Sequence, residues 1–480
     1  MKKRALIVCL CLVLVFPLTA EKTRLNNNLE EGLATISGMD VYGYCRTMAE
    51  PRFAGRHTGH EGYTAAAEWA AALFKSWGLR PISSEEGYLQ AYLSPYVIVN
   101  KAEMSLEVGG KTIPLKPGPD FLPLLFSDSG DGTAELVFAG WGISAPELGY
   151  DDYTGIDVKG RFVVCFRGTP DPREQGFIKH DHHRFRMQTA KDRGALGLFY
   201  IYDSPLANPN GDWIAGFTPA ILSEKTADLF LAEKDIKSAD LRNELRKTKK
   251  PGSFHLSSKA RFIVDATPHP EGTGYNVVGY VEGSDPELKK ECLVIGGHFD
   301  HCGQHMGVLY PGANDNASGS AVVMEIGQAF ASLKEKPKRS VIFVLFGGEE
   351  MGLQGSTYFA DHVPTQFTKT AAMFNFDMVG EGDGAGCGLG PEPKELKEML
   401  EKADESVGIL RNTRFFRGVG VRGSDYAPFY NKGIPCVSFS SNGPHLFYHL
   451  PGDTIYRINP DVMADISRLA FLAAYYLANL

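Results

Sequence analysis

Residues 294–319 read VIGGHFDHCGQHMGVLYPGANDNASG, and the fold is decided here. A short apolar run stops in Gly296-Gly297, and His298, Asp300 and His301 follow at once. Asp315 and Asn316 then sit in a turn rich in glycine, alanine and serine. An apolar run that ends in histidine and carboxylate is the pattern of a strand delivering ligands to the carboxyl edge of a sheet. The spacing His-x-Asp adds a mechanical reason. A carboxylate two residues on can accept the second N–H of the imidazole, fix its tautomer and make the other nitrogen a better metal ligand.

Outward from this stretch the texture is regular. Apolar runs at 275–281, 292–296, 340–346, 371–376 and 435–439 are rich in β-branched and aromatic residues. Helical patterns at 317–334, 350–362, 393–406 and 460–480 separate several of them. Such alternation predicts an α/β fold: a mostly parallel central sheet with helices on both faces. Asp465 and Arg468 interrupt the last apolar helix, so it is expected to pack on the sheet rather than enter a membrane.

Three more runs end in ligand types. Residues 341–346 lead into Gly347-Gly348-Glu349-Glu350, residues 373–376 into Asp377, and residues 435–439 into a segment holding His445, Tyr448, His449 and Asp453. Singly, each has a bland reading, such as an acidic helix start stabilised by the helix dipole. Together they share one sheet edge, where open α/β folds place ligands. Histidines with carboxylates suit zinc or a similar first-row divalent ion better than calcium. Glu349 and Glu350 are neighbours and point in different directions, so one ligand and one proton carrier is the economical division.

Upstream, residues 64–77 (TAAAEWAAALFKSW) predict a helix that Gly78 ends, and the preceding 52–56 loop carries no legible role. From about 100 to 259, short strand-like runs alternate with glycine- and proline-rich turns, which predicts a strand-rich insert. His180, His182 and His183 lie there among Lys179, Arg184 and Arg186, and read as a solvated loop.

The length of 480 residues calls for more than one core. A net charge of −8 without a basic tract argues against nucleic acid as a partner. Lys2-Lys3-Arg4, an apolar run from Ala5 to Val15, and small residues up to Ala20 describe a secretory signal rather than a membrane anchor. Export to the periplasm or the medium is therefore expected, with the net charge moving to −11 once the three cations leave. Six cysteines remain, scattered singly, so a cysteine-built zinc site is not indicated. Disulfides stay possible in an exported chain, and Cys165 and Cys436 read as buried thiols.

The motifs resemble those of the secreted co-catalytic zinc aminopeptidases, a family that also holds glutamate carboxypeptidases and glutaminyl cyclases. The resemblance covers roughly 260–460 and extends weakly to 40–80. The insert resembles a protease-associated domain through Asp157-Val158-Lys159-Gly160-Arg161 and Gly194-Ala195. It implies a zinc-exopeptidase fold: a signal peptide at 1–20, catalytic parts at 21–100 and 260–480, and an insert at 101–259. It also implies two zinc ions per chain, with His298 and Asp377 on one, Glu350 and His449 on the other, and Asp315 bridging them. Asp300 would orient His298, Glu349 would be the general base and Tyr448 would stabilise the oxyanion. The bond after the bridging aspartate would be cis. The implied activity is removal of N-terminal residues from peptides. Carboxypeptidase, dipeptidase and glutaminyl cyclase readings share the fold, and some relatives are receptors that have lost ligands. Oligomeric state and side-chain specificity are not legible.

Overall fold

The computed structural model describes residues 27–83, 87–203, 205–391, 393–410, 417–418 and 423–480. The signal sequence expected at 1–20 lies outside them. Two large sheets organise the chain.

The first sheet has four parallel strands at its centre: Ser340–Phe346, Glu291–His298, Lys369–Phe376 and Cys436–Ser441, side by side in that order. Thr273–Val281 runs antiparallel on one flank and Ala385–Gly390 on the other. Register aligns the carboxyl ends, pairing His298 with Phe346 and Phe376 with Phe439. The strands are apolar on both faces because both are covered. Val341, Phe343 and Leu345 enter one core, while Ile342, Val344 and Phe346 enter another. Helices Gly319–Ser332 and Pro460–Ala478 lie over the first face, and the short helices Gln354–Asp361 and Ala427–Asn431 over the second. The helix expected from 350 starts only at Gln354, since Gly352 and Leu353 hold positive φ. That delay leaves Glu349 and Glu350 in a turn at the sheet edge. No helix among the described residues is long and apolar enough to cross a membrane.

The second sheet mixes parallel and antiparallel pairs and is built from strands between Tyr96 and His269. The limits expected at 101 and 259 therefore fall inside its strands. The long strands Tyr96–Val108 and Phe254–His269 pair with each other and carry the chain out and back. Where they leave the first sheet, the Ser94 N–H donates to the Gly272 carbonyl at 2.7 Å.

The N-terminal helices Gly38–Met48 and Glu61–Ser76 flank the first sheet, and the segment between them reaches the ligand stretch. Ala54, Gly55 and Arg56 all hold positive φ. At Gly55 a Cβ would lie 2.4 Å from the carbonyl oxygens of Gly303 and Tyr310, so only glycine permits the approach. Across that contact the N–H groups of His301 and Gly303 donate to the carbonyls of Arg56 and Gly55. The Arg56 side chain is fully buried and donates to four carbonyl oxygens, those of Met48, Phe299, Pro311 and Gly312. A guanidinium fork suits this work, because it presents several fixed donors from one group. The loop that sequence alone left without a role thus ties down both ends of residues 299–312.

Arg56→Met is expected to lower stability by upward of about 3 kcal/mol, because several buried carbonyls lose a charged donor at once. Arg52→Met, at an exposed arginine paired with Glu50, is the control and should shift stability by less than about 1 kcal/mol. Thermal unfolding of the two variants checks this, and equal midpoints would contradict it.

Candidate metal centre

The four central strands bring every predicted ligand to one edge. His298 ends its strand, Glu349 and Glu350 follow Ser340–Phe346, Asp377 follows Lys369–Phe376, and His449 comes from the loop after Cys436–Ser441. Asp315 enters from the turn before helix Gly319–Ser332. Its peptide bond to Asn316 is cis, as the resemblance implied.

Asp315 divides its carboxylate between two sets of donors. Its Oδ1 lies 3.5 Å from His298 Nε2, which is itself 3.6 Å from Asp377 Oδ1. Its Oδ2 lies 3.3 Å from His449 Nε2, which is 2.9 Å from Glu350 Oε2. Donors held about 2.0–2.1 Å from one tetrahedral zinc stand roughly 3.3 Å apart, and these separations bracket that spacing. Asp315 Oδ2 and His449 Nε2 are buried and make no hydrogen bond despite their proximity. Lone pairs converging without a proton between them fit a cation. Among the described residues, the groups of potential metal donors all gather here.

The tautomers agree. His298 Nδ1 lies 3.2 Å from the Asp300 carbonyl oxygen, and His449 Nδ1 lies 3.1 Å from the Ala207 carbonyl oxygen. A carbonyl only accepts, so each Nδ1 carries the proton and each Nε2 turns its lone pair inward. Burial works against an imidazolium at His298, yet Glu349, Asp377 and Asp315 hold its pKa well above the usual value. A field that strongly favours a proton at this place also favours a metal cation.

Asp300 lies where expected but works differently. The backbone carbonyl, not the carboxylate, meets His298, because the carboxylate stands 3.7 Å from Nδ1. The carboxylate accepts instead from the N–H groups of Glu349 and Glu350 and from the Thr58 hydroxyl. Asp300 therefore sets the turn that presents the two glutamates.

Those neighbours diverge in direction and in charge. Burial, with Glu350, Asp425 and Asp377 nearby, raises the pKa of Glu349 well above the carboxylate range against the opposing His298. Burial also acts to raise Glu350, but His449 and His301 outweigh it and hold that carboxyl well below its ordinary value. Environments that split two carboxyl groups in this way assign one as proton carrier and the other as a standing anion. Glu349 Oε2 is 3.9 Å from His298 Nε2 and lies beside both donor sets.

Several further residues support the site, of which sequence reasoning missed Asp453 and Ala207. Asp453 accepts from the N–H groups of Asn314 and Asp315, fixing the shared carboxylate from behind. His301 Nδ1 lies 3.0 Å from Glu350 Oε1, and His445 Nδ1 is 2.9 Å from Asn314 Nδ2. His301 and His445 stood out as extra histidines beside the motifs, whereas Asp453 was marked only by its place in the polar 443–454 segment. Ala207, from the part of the chain that carries the second sheet, exchanges two hydrogen bonds with His449. Tyr448 is half-exposed, and its ring stacks on His449 with centroids 3.8 Å apart. Tyr448, Glu349, Glu350 and His449 line a cleft of about 410 Å³ together with Arg167, Asn208 and Asn210.

Of the expectations about other residues, the one for His183 changes and the one for the buried thiols holds. His183 is not a solvated loop residue: it is buried against Tyr200 and bonded to Asn208, while His180 pairs with Glu147. The six described cysteines are all free and buried, Cys165 and Cys436 included.

Residues 276–474 match peptidase family M28. The chain is similar to aminopeptidase YwaD of Bacillus subtilis strain 168, at 24% identity over 421 residues, 85% of this chain and 79% of that protein. It is also similar to leupeptin-inactivating enzyme 1 of Streptomyces exfoliatus, at 31% identity over 34% of this chain and 35% of that one. Of solved structures, an aminopeptidase from Aneurinibacillus sp. strain AM-1 aligns with a TM-score of 0.65 at 21% identity, covering 93% of this chain and 95% of its own. BSAP, a zinc aminopeptidase from Bacillus subtilis, aligns with a TM-score of 0.63 at 19% identity, covering 92% of this chain and 95% of its own. Those two likenesses show a common fold across both sheets. The M28 match takes in all four central strands and the candidate ligands that follow them.

Proposed function

We propose that the chain is an exported aminopeptidase that holds two zinc ions and removes N-terminal residues from peptides. The observation that carries this reading is the Asp315 carboxylate, with one oxygen toward each of two histidine–carboxylate sets and Glu349 beside them. His298 and Asp377 would hold one ion, Glu350 and His449 the other, and Asp315 both. Bound zinc supplies Lewis acidity toward a carbonyl and lowers the pKa of water.

The residues of the chain do the rest. Glu349, as the carboxylate, takes the proton of the attacking water and passes it to the leaving amine, work that suits a carboxyl group whose proton affinity is raised by burial and neighbouring carboxylates. Asp300 keeps Glu349 at its post by accepting from the backbone N–H groups of the turn. Tyr448 stands at the mouth, where its hydroxyl can donate to the oxygen that gains charge as the carbonyl is attacked. A free substrate amine meets a pocket lined by carboxylates, which favours the charged end of a peptide over an internal bond. In the same cleft, Arg167, Asn208 and Asn210 bound the space open to the remainder of the peptide, so the second-sheet region limits substrate length. Export rests on the basic-then-apolar pattern of residues 1–20.

Glu349→Gln is expected to keep its metal and to lose on the order of 10²–10⁴ in rate. Metal analysis alongside aminoacyl-chromophore hydrolysis checks this, and activity within about tenfold of the parent would remove Glu349 from the role. In the same assay, acetylating the substrate N-terminus should abolish cleavage. Cleavage that survives the block would move the reading toward a carboxypeptidase or endopeptidase.

A further inference from the structure

Cys302 is the one feature of the ligand stretch that the proposed chemistry leaves unused. Its Sγ lies within 4.8 Å of donor atoms of His301, Glu350 and His449, which are in turn that close to one another. The residue is fully buried and its thiol is free. Its backbone is held on both sides, by the His301 N–H to Arg56 and the Gly303 N–H to Gly55, and His305 bonds to its carbonyl. The thiol is therefore placed by the contacts that hold residues 301–303 against the Gly55–Arg56 turn. A second observation points to a ligand here: the buried Nε2 of His449, in this same group, has no hydrogen-bond partner, nor has Asp315 Oδ2 3.3 Å away.

We propose that the Cys302 thiolate ligates the metal held by Glu350, His449 and Asp315, making that position a mixed sulfur, nitrogen and oxygen site. The inference rests on the two-metal reading above and deepens it. His301 keeps its own task, since its Nδ1 bonds to Glu350 Oε1 and leaves Oε2 facing His449. On binding, the Sγ–metal bond replaces the S–H bond and one proton goes to solvent. A thiolate at one position only makes the two unequal. The Cys302 side prefers zinc over harder ions such as magnesium or manganese, while the His298–Asp377 side stays a site of nitrogen and oxygen. Three anionic ligands also leave the Cys302-side ion the weaker Lewis acid, so carbonyl polarisation falls to the other. The alternative is a thiol that only fills space between Leu122, Ala207 and Tyr310, which it also touches.

The test is X-ray absorption on the full-length enzyme loaded with zinc to saturation. The expected result is a sulfur shell at about 2.3 Å, averaging about half a sulfur per zinc, that is absent from Cys302→Ser. Cobalt-substituted enzyme should likewise show a sulfur-to-metal charge-transfer band in the near ultraviolet that the variant lacks. A purely nitrogen and oxygen shell in parent enzyme carrying two zinc ions overturns the proposal and leaves the two-metal reading intact. An enzyme that binds no zinc overturns both. The spectrum of the parent decides the matter even if Cys302→Ser does not fold.

Discussion

One carboxylate with its two oxygens turned to different partners is the constraint on which the rest of this molecule depends. Asp315 is 3% exposed and shares the site with Glu349, Glu350 and Asp377. Buried like charges repel and lose hydration, so the arrangement is costly unless cations compensate it. His298 and His449 provide part of that compensation, and two divalent ions would complete it. The cluster of buried carboxylates thus favours a cation.

Much of the nearby architecture exists to hold that arrangement still. Asp453 receives the N–H groups of Asn314 and Asp315, Asp300 receives those of Glu349 and Glu350, and Arg56 gathers the carbonyls at both ends of residues 299–312. In each case a charged side chain binds backbone dipoles rather than an opposite charge. Such contacts fix the loops around the site. The second-sheet region takes part through Ala207, whose carbonyl orients His449. That region thus lines the cleft and also supports His449, so its removal would disturb both.

The central strands and the ligand types at their ends were legible because both leave local signatures. Apolar runs of strand length, such as 340–346, stop abruptly in glycine and carboxylate, and the structure places the strand over the same residues. The roles of Arg56 and Asp453 were not legible, because a buried arginine bound to carbonyls leaves no mark in its neighbours. Asp300 shows the limit of motif reasoning. The spacing is right, but the backbone turns so that a carbonyl reaches His298 and the carboxylate faces the other way. The second sheet reaches further at both ends than expected: Tyr96–Val108 and Phe254–His269 are long strands whose buried and exposed positions alternate over much of their length. Cys302 was set aside because cysteines in pairs advertise metal and a single one does not.

The account stands or falls on whether Asp315 joins two metal sites. Native mass spectrometry during zinc titration of the parent and of Asp315→Ala measures this directly. The parent should take up two zinc ions per chain, and the variant should lose the tight binding of both, since each set gives up a shared ligand. Saturation of the parent at one zinc, or a variant that still binds two as tightly, would contradict the account.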